Sequence, residues 1–122
     1  MIISKDPKVS SFIQELNSAG SVHSSVVLKL YELFSLSEQE YSEKFIYGGI
    51  GLYIDDSLVG GIYVSAKHVS LVFSEGYKLE DKYSVLEGGG KYRRHIKLSD
   101  TYDIGIKNCA FYIRSNEKLY SS

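Results

Sequence analysis

Two groups of ionisable side chains in this chain of 122 residues could do chemistry. The first group consists of carboxylates, whose oxygen atoms are the ligands that hard metal ions take in proteins. Five of them precede or divide the expected strands: Glu38, Glu40, Glu43, Asp55 and Asp56. Three more lie in a polar stretch further along: Glu75, Glu80 and Asp81. Their spacing matches no ligand motif, so helix capping and solvation of turns are the alternative uses of these side chains.

The second group is a cationic cluster that follows three consecutive glycines at positions 88–90. The cluster extends to Lys97 and could bind an anion, with Lys91, Arg93, Arg94 and His95 as the candidate ligand-binding residues. A Walker phosphate loop is excluded because it needs a Gly-x-x-x-x-Gly-Lys-Ser/Thr spacing before a helix. The alternative is a glycine turn that leads into an edge strand, whose charged face stays in water and resists edge-to-edge pairing.

The histidines and the cysteine predict no site of their own. His23, His68 and His95 are far apart in sequence and match no metal motif. Cys109 falls on the apolar face of the last expected helix, where burial raises the pKa of a thiol and weakens it as a nucleophile. A single cysteine forms no intrachain disulfide, which indicates a reducing compartment. No G-x-S-x-G nucleophile elbow precedes a helix, so a hydrolase triad has no support.

Capping signals and hydrophobic spacing predict the helices at the start of the chain. Asp6 followed by proline begins a helix over residues 7–17. Ser21 or Ser24 is expected to cap a second helix, in which apolar residues recur at spacings of three and four. Ser37 with the carboxylates that follow it predicts one or two further helical turns, to about residue 44.

The hydrophobic pattern then changes its period. Residues 45–73 are rich in Ile, Val, Tyr and Gly, and breaks at 55–57 and 66–67 divide them into three expected antiparallel strands. Residues 92–98 alternate again, and a closing helix follows whose inward face is expected to carry Ile104, Ile106, Cys109, Ala110, Tyr112 and Ile113. This order predicts an α+β domain, with an antiparallel sheet of about four to six strands and with N-terminal helices and a C-terminal helix packed on one face.

Residues 69–98 carry a resemblance to a known family. The matching residues are Phe73, Gly76, Leu79, Asp81, Leu86, Glu87, Gly88, Gly90, Lys91, Arg94, His95 and Ile96, with Glu43, Ile46, Tyr47 and Gly48 before them. In this pattern the chain resembles the YdhG-like family of bacterial and archaeal proteins, which includes frataxin-like proteins proposed as iron chaperones. The resemblance implies a single YdhG-like domain over residues 1–122, helices against an antiparallel sheet, and for some members iron handling. It implies no catalytic residues.

The resemblance also pairs Arg94 in pattern with Glu87. Strand alternation places Arg94 on the same inward face as Ile96 and Leu98, where a guanidinium needs a carboxylate or several carbonyls. An ion pair that closes the glycine loop is therefore expected, with Glu87, Gly88, Gly90 and Arg94 as a structural unit. The alternative is that Arg94 grips the carboxylate or phosphate of a ligand.

Composition excludes some classes of partner. Lys and Arg number 14 against 15 Asp and Glu, so no global positive charge of the kind that nucleic acid attracts is present. The first seven residues lack the features of a signal peptide, and no apolar run approaches the roughly 18 to 20 residues of a membrane span. We therefore expect a cytoplasmic protein with no nucleic-acid partner and no membrane partner.

Two functions from different classes remain after these exclusions, with an enzyme ranked third. The first is a small protein that requires no cofactor and binds iron weakly through Glu38, Glu40, Glu43, Asp55 and Asp56. The alternative is an adaptor or regulatory module that binds a protein partner or a small anionic ligand. It would bind through the sheet face and through residues 91–97, which we call the basic strand. The oligomeric state is left open by the sequence.

Overall fold

Four helices and six strands form the fold in the computed structural model, which describes residues 2–3 and 6–121. The helices are α1 (Pro7–Ser18), α2 (His23–Ser35), α3 (Tyr102–Ile106) and α4 (Cys109–Leu119). The strands are β1 (Ile2–Ile3), β2 (Tyr41–Ile46), β3 (Gly49–Ile54), β4 (Ser57–Val64), β5 (Val69–Phe73) and β6 (Arg94–Leu98). The α+β class is confirmed, while the expected domain limits at residues 1 and 122 lie outside the described residues.

The strands form one sheet in chain order, from β1 at one edge to β6 at the other. β2 to β6 are antiparallel to their neighbours, and the two-residue β1 pairs with β2 in parallel. The antiparallel arrangement expected for residues 45–73 is confirmed. The first of the three expected strands is divided between β2 and β3, because Tyr47 and Gly48 both have positive φ and form a two-residue hairpin turn.

Asp6 begins α1 as the sequence predicts. Its Oδ1 accepts a hydrogen bond from the Lys8 N–H at 3.0 Å, and its Oδ2 accepts one from the Phe45 N–H at 2.7 Å. The hydrogen bonds from Phe45 and then Lys8 hold the pKa of the Asp6 carboxyl below its ordinary value. The carboxylate therefore joins the start of α1 to β2. In α2 neither expected serine is the N-cap residue, which is Val22.

The helical turns expected over residues 37–44 are wrong. Ser37 accepts a hydrogen bond from the Gln39 N–H at 3.0 Å within a bend, and β2 begins at Tyr41. Tyr41 and Glu43 alternate with exposed residues and are only 2% and 6% exposed. Burial of these alternating side chains outweighs the local capping signal, because helix propensity is a weak preference beside tertiary packing.

The buried apolar side chains form one cluster between the helices and one face of the sheet. β5 contributes Val69, Leu71 and Phe73 in the alternation that the sequence predicts. The closing helix is divided in two, since Asn108 has a left-handed backbone with φ of 56°. Ile106, expected to face the core, is consequently 71% exposed.

Cys109, by contrast, is completely buried, and burial raises the pKa of its thiol to about 12. The expectation of a core thiol is therefore confirmed. Among residues 2–3 and 6–121, the helices are too short or too polar to cross a bilayer.

The connector between β5 and β6, residues 75–93, is attached to α4 by a polar node. The Tyr112 hydroxyl donates to Asp81 Oδ1 at 2.7 Å and accepts from the Tyr83 N–H at 2.9 Å. Asp81 also accepts from the Val85 N–H at 3.0 Å. Burial opposes the charge of Asp81, but these hydrogen bonds outweigh it and lower the pKa of the carboxyl. The node holds the connector, and with it the glycine loop, against the helical layer.

Candidate functional site

The five carboxylates proposed as iron ligands lie in three separate places. Glu38 and Glu40 are exposed in the bend before β2, and Asp55 and Asp56 are exposed in the turn between β3 and β4. Glu43 points into the core, where its carboxylate accepts a hydrogen bond from the Tyr31 hydroxyl. In the described part of the chain, no group of three or more His, Cys, Asp and Glu side chains is placed to hold a metal ion. Iron binding thus stays a prediction that rests on the family resemblance.

The face of the sheet that points away from the helices is a second candidate site. Strand pairing places Val72 opposite His95, Ser70 opposite Lys97, and Lys44 opposite Gly51. Side chains of paired residues share a face, so this register defines the set that we call the open face. Its members are Lys44, Ile46, Tyr53, Leu58, Tyr63, Ser70, Val72, His95 and Lys97, with the glycines Gly49, Gly51 and Gly61. None of these side chains belongs to the core cluster.

Tyr63 lies flat across two glycines of the open face. A Cβ on Gly49 would meet Tyr63 Cδ1 at 2.4 Å, and a Cβ on Gly61 would meet Tyr63 Cε2 at 2.6 Å. These two atoms belong to opposite edges of the ring, so the ring lies along the sheet and rests on the main chain of both glycines. The side chain is half-buried, so part of the ring remains exposed. Only glycine leaves room for this arrangement.

A second tyrosine lies beside the third glycine. A Cβ on Gly51 would meet Ile46 Cγ2 at 2.7 Å and Tyr53 Cε1 at 3.3 Å. The Lys44 Nζ stands 5.7 Å from the centre of the Tyr53 ring, within the range of a cation–π contact. The open face therefore combines aromatic rings with positive charge at its β2 side.

The basic strand supplies positive charge at the other side of the open face. Arg93 is exposed, and it lies close enough to Tyr63 for its charge to oppose the rise that burial causes in the pKa of that hydroxyl. His95 is half-buried beside Val72, and burial lowers its pKa although Glu87 acts in the opposite direction. Its imidazole is therefore mostly neutral at pH 7.

The other two members of the cationic cluster do not point to one spot with Arg93. Lys91 is exposed and its Nζ stands 5.4 Å from the centre of the Tyr92 ring. Arg94 is half-buried, and its Nη1 donates to the carbonyls of Gly90 and Arg93, at 2.7 Å each. The four residues proposed as an anion site are thus divided between the open face and the glycine loop.

The expected ion pair between Glu87 and Arg94 is wrong. Glu87 exchanges two main-chain hydrogen bonds with His95, at 2.8 and 2.9 Å, and therefore shares the outward face with it. Its Oε1 lies 3.4 Å from the Nζ of Lys97. Arg94 is on the opposite face by strand alternation, so the carboxylate cannot reach it without crossing the strand.

The structural role assigned to Arg94 is nevertheless present in another form. Its side chain occupies the space above two glycines: a Cβ on Gly76 would meet Arg94 Cβ at 2.5 Å, and one on Gly88 would meet Arg94 Cδ at 3.5 Å. With its hydrogen bond to the Gly90 carbonyl, Arg94 closes the glycine loop through main-chain acceptors. Several carbonyls replace the carboxylate as its partners.

This geometry predicts independent effects of substitutions at Glu87 and Arg94. Glu87→Ala should lower the free energy of unfolding by at most about 1 kcal/mol, because its ion pair is half exposed. Arg94→Ala should cost about 1 to 2 kcal/mol through its lost hydrogen bonds to carbonyls. In a double-mutant cycle measured by urea denaturation, the two losses should add to within about 0.5 kcal/mol. A coupling energy of several times that size would show that Glu87 and Arg94 do interact as an ion pair.

A groove with a volume of about 470 Å³ lies between the C-terminal end of α2 and α4. Leu33, Leu36 and Ile113 form its apolar walls, and Leu36 is 82% exposed. Glu117 lines it and accepts hydrogen bonds from Ser37 Oγ at 2.7 Å and from the Tyr41 hydroxyl. Sequence reasoning missed this groove, for which an apolar residue after the end of α2 is the available signal.

Comparisons with protein-family models, with curated proteins and with solved structures found no match for this chain. The YdhG-like resemblance therefore stays a prediction. The open face and the groove are the two candidate binding surfaces of the described residues. Of these, the open face has both a defined shape and a defined charge, whereas nothing in the structure shows what covers the groove.

Proposed function

We propose that this protein is a binding module whose open face holds an anionic ligand. The observation that carries the proposal is the positive charge that borders both sides of a sheet face without a helical cover. Lys44 borders the face from β2, while Arg93 and Lys97 border it from the β6 side. The half-buried tyrosines between them exclude part of the water, which strengthens an electrostatic contact.

The acidic residues near the open face leave this region positive. Glu87 stands at its β6 edge and is paired with Lys97. Asp55 and Asp56 are in the turn before β4, eight and seven residues before Tyr63. An extended strand rises about 3.3 Å per residue, so this turn is roughly 20 Å from the tyrosine. At physiological salt, screening over about 8 Å separates these charges from the proposed site.

Titration calorimetry of the full chain with tripolyphosphate tests the proposal. Arg93→Glu combined with Lys97→Glu should weaken binding by about tenfold or more, because two attractive charges become repulsive. The matched control is Arg114→Glu combined with Lys118→Glu, which reverses two charges on α4, on the other side of the sheet. At about 0.15 M salt the control should change the affinity by less than about twofold.

Two outcomes would overturn the proposal. One is the absence of measurable binding of tripolyphosphate to the unchanged protein. The other is an equal loss of affinity in both double variants, which would mean that the anion responds to the net charge alone. Thermal unfolding of each variant without ligand shows whether a loss of affinity comes from a loss of fold.

A further inference from the structure

We infer that the ligand of the open face is a free nucleotide, whose base stacks on Tyr63 and whose phosphates are held by Arg93 and Lys97. This inference rests on the proposed function and deepens it. It adds to the positive charge a second requirement, a flat aromatic group in the ligand. The two requirements can be separated by experiment, because inorganic polyphosphate satisfies only the first.

The orientation of the Tyr63 ring suits a stacked base. Opposite edges of its ring lie against Gly49 and Gly61, so one π face is in contact with the main chain. The side chain is half-buried, so part of the ring remains accessible to a ligand. A ring supported in this way is already in the orientation that a stacked base needs, so stacking costs little further side-chain order.

The position of the cations relative to the Tyr63 ring also suits a nucleotide. Tyr63 is paired with Ser70, and Ser70 is paired with Lys97, in one row across three strands. Two strand spacings separate Tyr63 from Lys97, or about 10 Å between their Cα atoms. A base on Tyr63 therefore lets its phosphates extend over Ser70 towards Lys97. Arg93 shares the outward face with His95 by strand alternation, and its charge lies near the same tyrosine.

The side chains along this row suit a phosphate chain that extends from Tyr63 towards Lys97. Ser70 is half-buried between the ring and the lysine, and its hydroxyl is available as a donor to a phosphate oxygen. Lys97 has Glu87 as its present partner at 3.4 Å, with both side chains 46% exposed. An exposed pair of this kind is weak, so a phosphate with more than one negative charge can replace the carboxylate.

A free nucleotide fits these observations better than the other anions that could bind here. An acidic peptide would use the cations but has no need of a supported flat ring. A long single-stranded nucleic acid would need positive side chains that continue beyond the open face. The chain has 14 basic against 15 acidic residues, so it has no overall excess of positive charge. The open face supplies one ring, with Lys97 in the same row and Arg93 near enough to act on the ring through its charge, which is enough for one nucleotide.

The test compares four probes on the full chain by titration calorimetry: adenosine triphosphate, tripolyphosphate, a deoxyadenylate hexanucleotide and a short poly-glutamate peptide. Adenosine triphosphate should bind about tenfold more tightly than tripolyphosphate, the difference being the stacked base. Tyr63→Leu should remove this difference, because leucine keeps an apolar side chain at this position but has no π face. Tyr63→Phe should keep it, because the π face is retained. Tyr102→Leu, at a tyrosine of α3 that is 78% exposed, is the matched control.

Each contrary outcome overturns a different statement. Equal affinities for adenosine triphosphate and tripolyphosphate would refute the nucleotide as the ligand but leave the anion site supported. If neither probe bound, both the nucleotide and the anion site would be refuted. A hexanucleotide that binds more than about tenfold tighter than the mononucleotide would replace the free nucleotide by a single strand. Preferential binding of poly-glutamate would replace it by an acidic protein segment. Loss of the base-dependent difference in Tyr63→Phe would refute stacking.

Discussion

Changing Gly60 to alanine should lower the free energy of unfolding by about 3 kcal/mol, at the upper end of the usual cost of overpacking. A Cβ at this position would stand 2.3 Å from the carbonyl oxygen of Val72 and 3.7 Å from the Cα of Phe73. Both atoms belong to the main chain of β5, which is hydrogen-bonded to β4. The clash can be relieved only by separating two central strands, because no flexible side chain can move away.

Gly89→Ala is the matched control for Gly60→Ala. A Cβ on Gly89 would have no atom within 4 Å, so its expected effect on stability is within about 0.5 kcal/mol of zero. Urea denaturation of both variants, followed by circular dichroism, gives the two differences in free energy. If Gly60→Ala were as stable as the unchanged protein, the close approach of β4 and β5 would be refuted.

Changing Tyr41 to phenylalanine should lower the free energy of unfolding by about 1.5 to 3 kcal/mol, the usual range for a hydrogen bond to a charged group. Tyr41 is 2% exposed, and its hydroxyl donates to Glu117 Oε2, which also accepts from Ser37. The substitution keeps the edge-on contact of the ring with Phe34, whose centre is 5.2 Å away. The measured loss therefore reports the hydroxyl group.

The pH dependence of this loss has a definite sign. Burial, and then the hydrogen bond to Glu117, raise the pKa of Tyr41 above the ordinary value of 10.0. A raised pKa contributes stability that is fully present below the ordinary value and is lost as the pH rises through the folded one. The difference between Tyr41→Phe and the unchanged protein should therefore be constant from about pH 6 to pH 9.

A second substitution tests whether Tyr41 acts through Glu117. In a double-mutant cycle with Glu117→Leu, the two losses should be less than additive, since each single change breaks the same contact. The control is Tyr102→Phe, at a tyrosine that is 78% exposed and should show no effect on stability. Additive losses in the cycle would mean that the hydroxyl of Tyr41 is stabilised by another group.

Local signals in the sequence were sufficient for some elements of this fold. Asp6 with Pro7 is a helix start in which the acceptor and the fixed φ lie in adjacent residues, and α1 begins there. The alternation of Val69, Leu71 and Phe73 likewise predicts which side of β5 is buried. In both cases the information is contained within a few residues, so no knowledge of distant contacts is needed.

The failures have a common physical cause in contacts between distant segments. Residues 37–44 have a good helix-start pattern, yet Tyr41 is buried against Phe34 and bonded to Glu117, 76 residues away. The pairing of Glu87 with Lys97 depends on the isolated bridge to His95, which sets the face of the carboxylate. Spacing along the chain could not reveal which face Glu87 would take.

The open face could not be predicted from the sequence for the same reason. Alternation could show that one side of the strands is partly polar, and the basic strand was recognised. The contact of Tyr63 with Gly49 requires the register of β3 on β4, which is a property of the folded sheet. The carboxylates proposed for iron show the reverse case, because residues near in sequence are far apart in the structure.

The three outward glycines allow neighbouring side chains to lie close against the main chain of the open face. Tyr63 covers Gly49 and Gly61, while Ile46, Leu58 and Tyr53 lie over Gly51, so all three glycines are buried. The surface of the open face is therefore formed by these covering side chains. At Gly51 an added methyl group would meet only the ends of side chains. A single alanine there would push these side chains outward and leave the cations in place, so the shape and the charge of this binding surface can be varied separately.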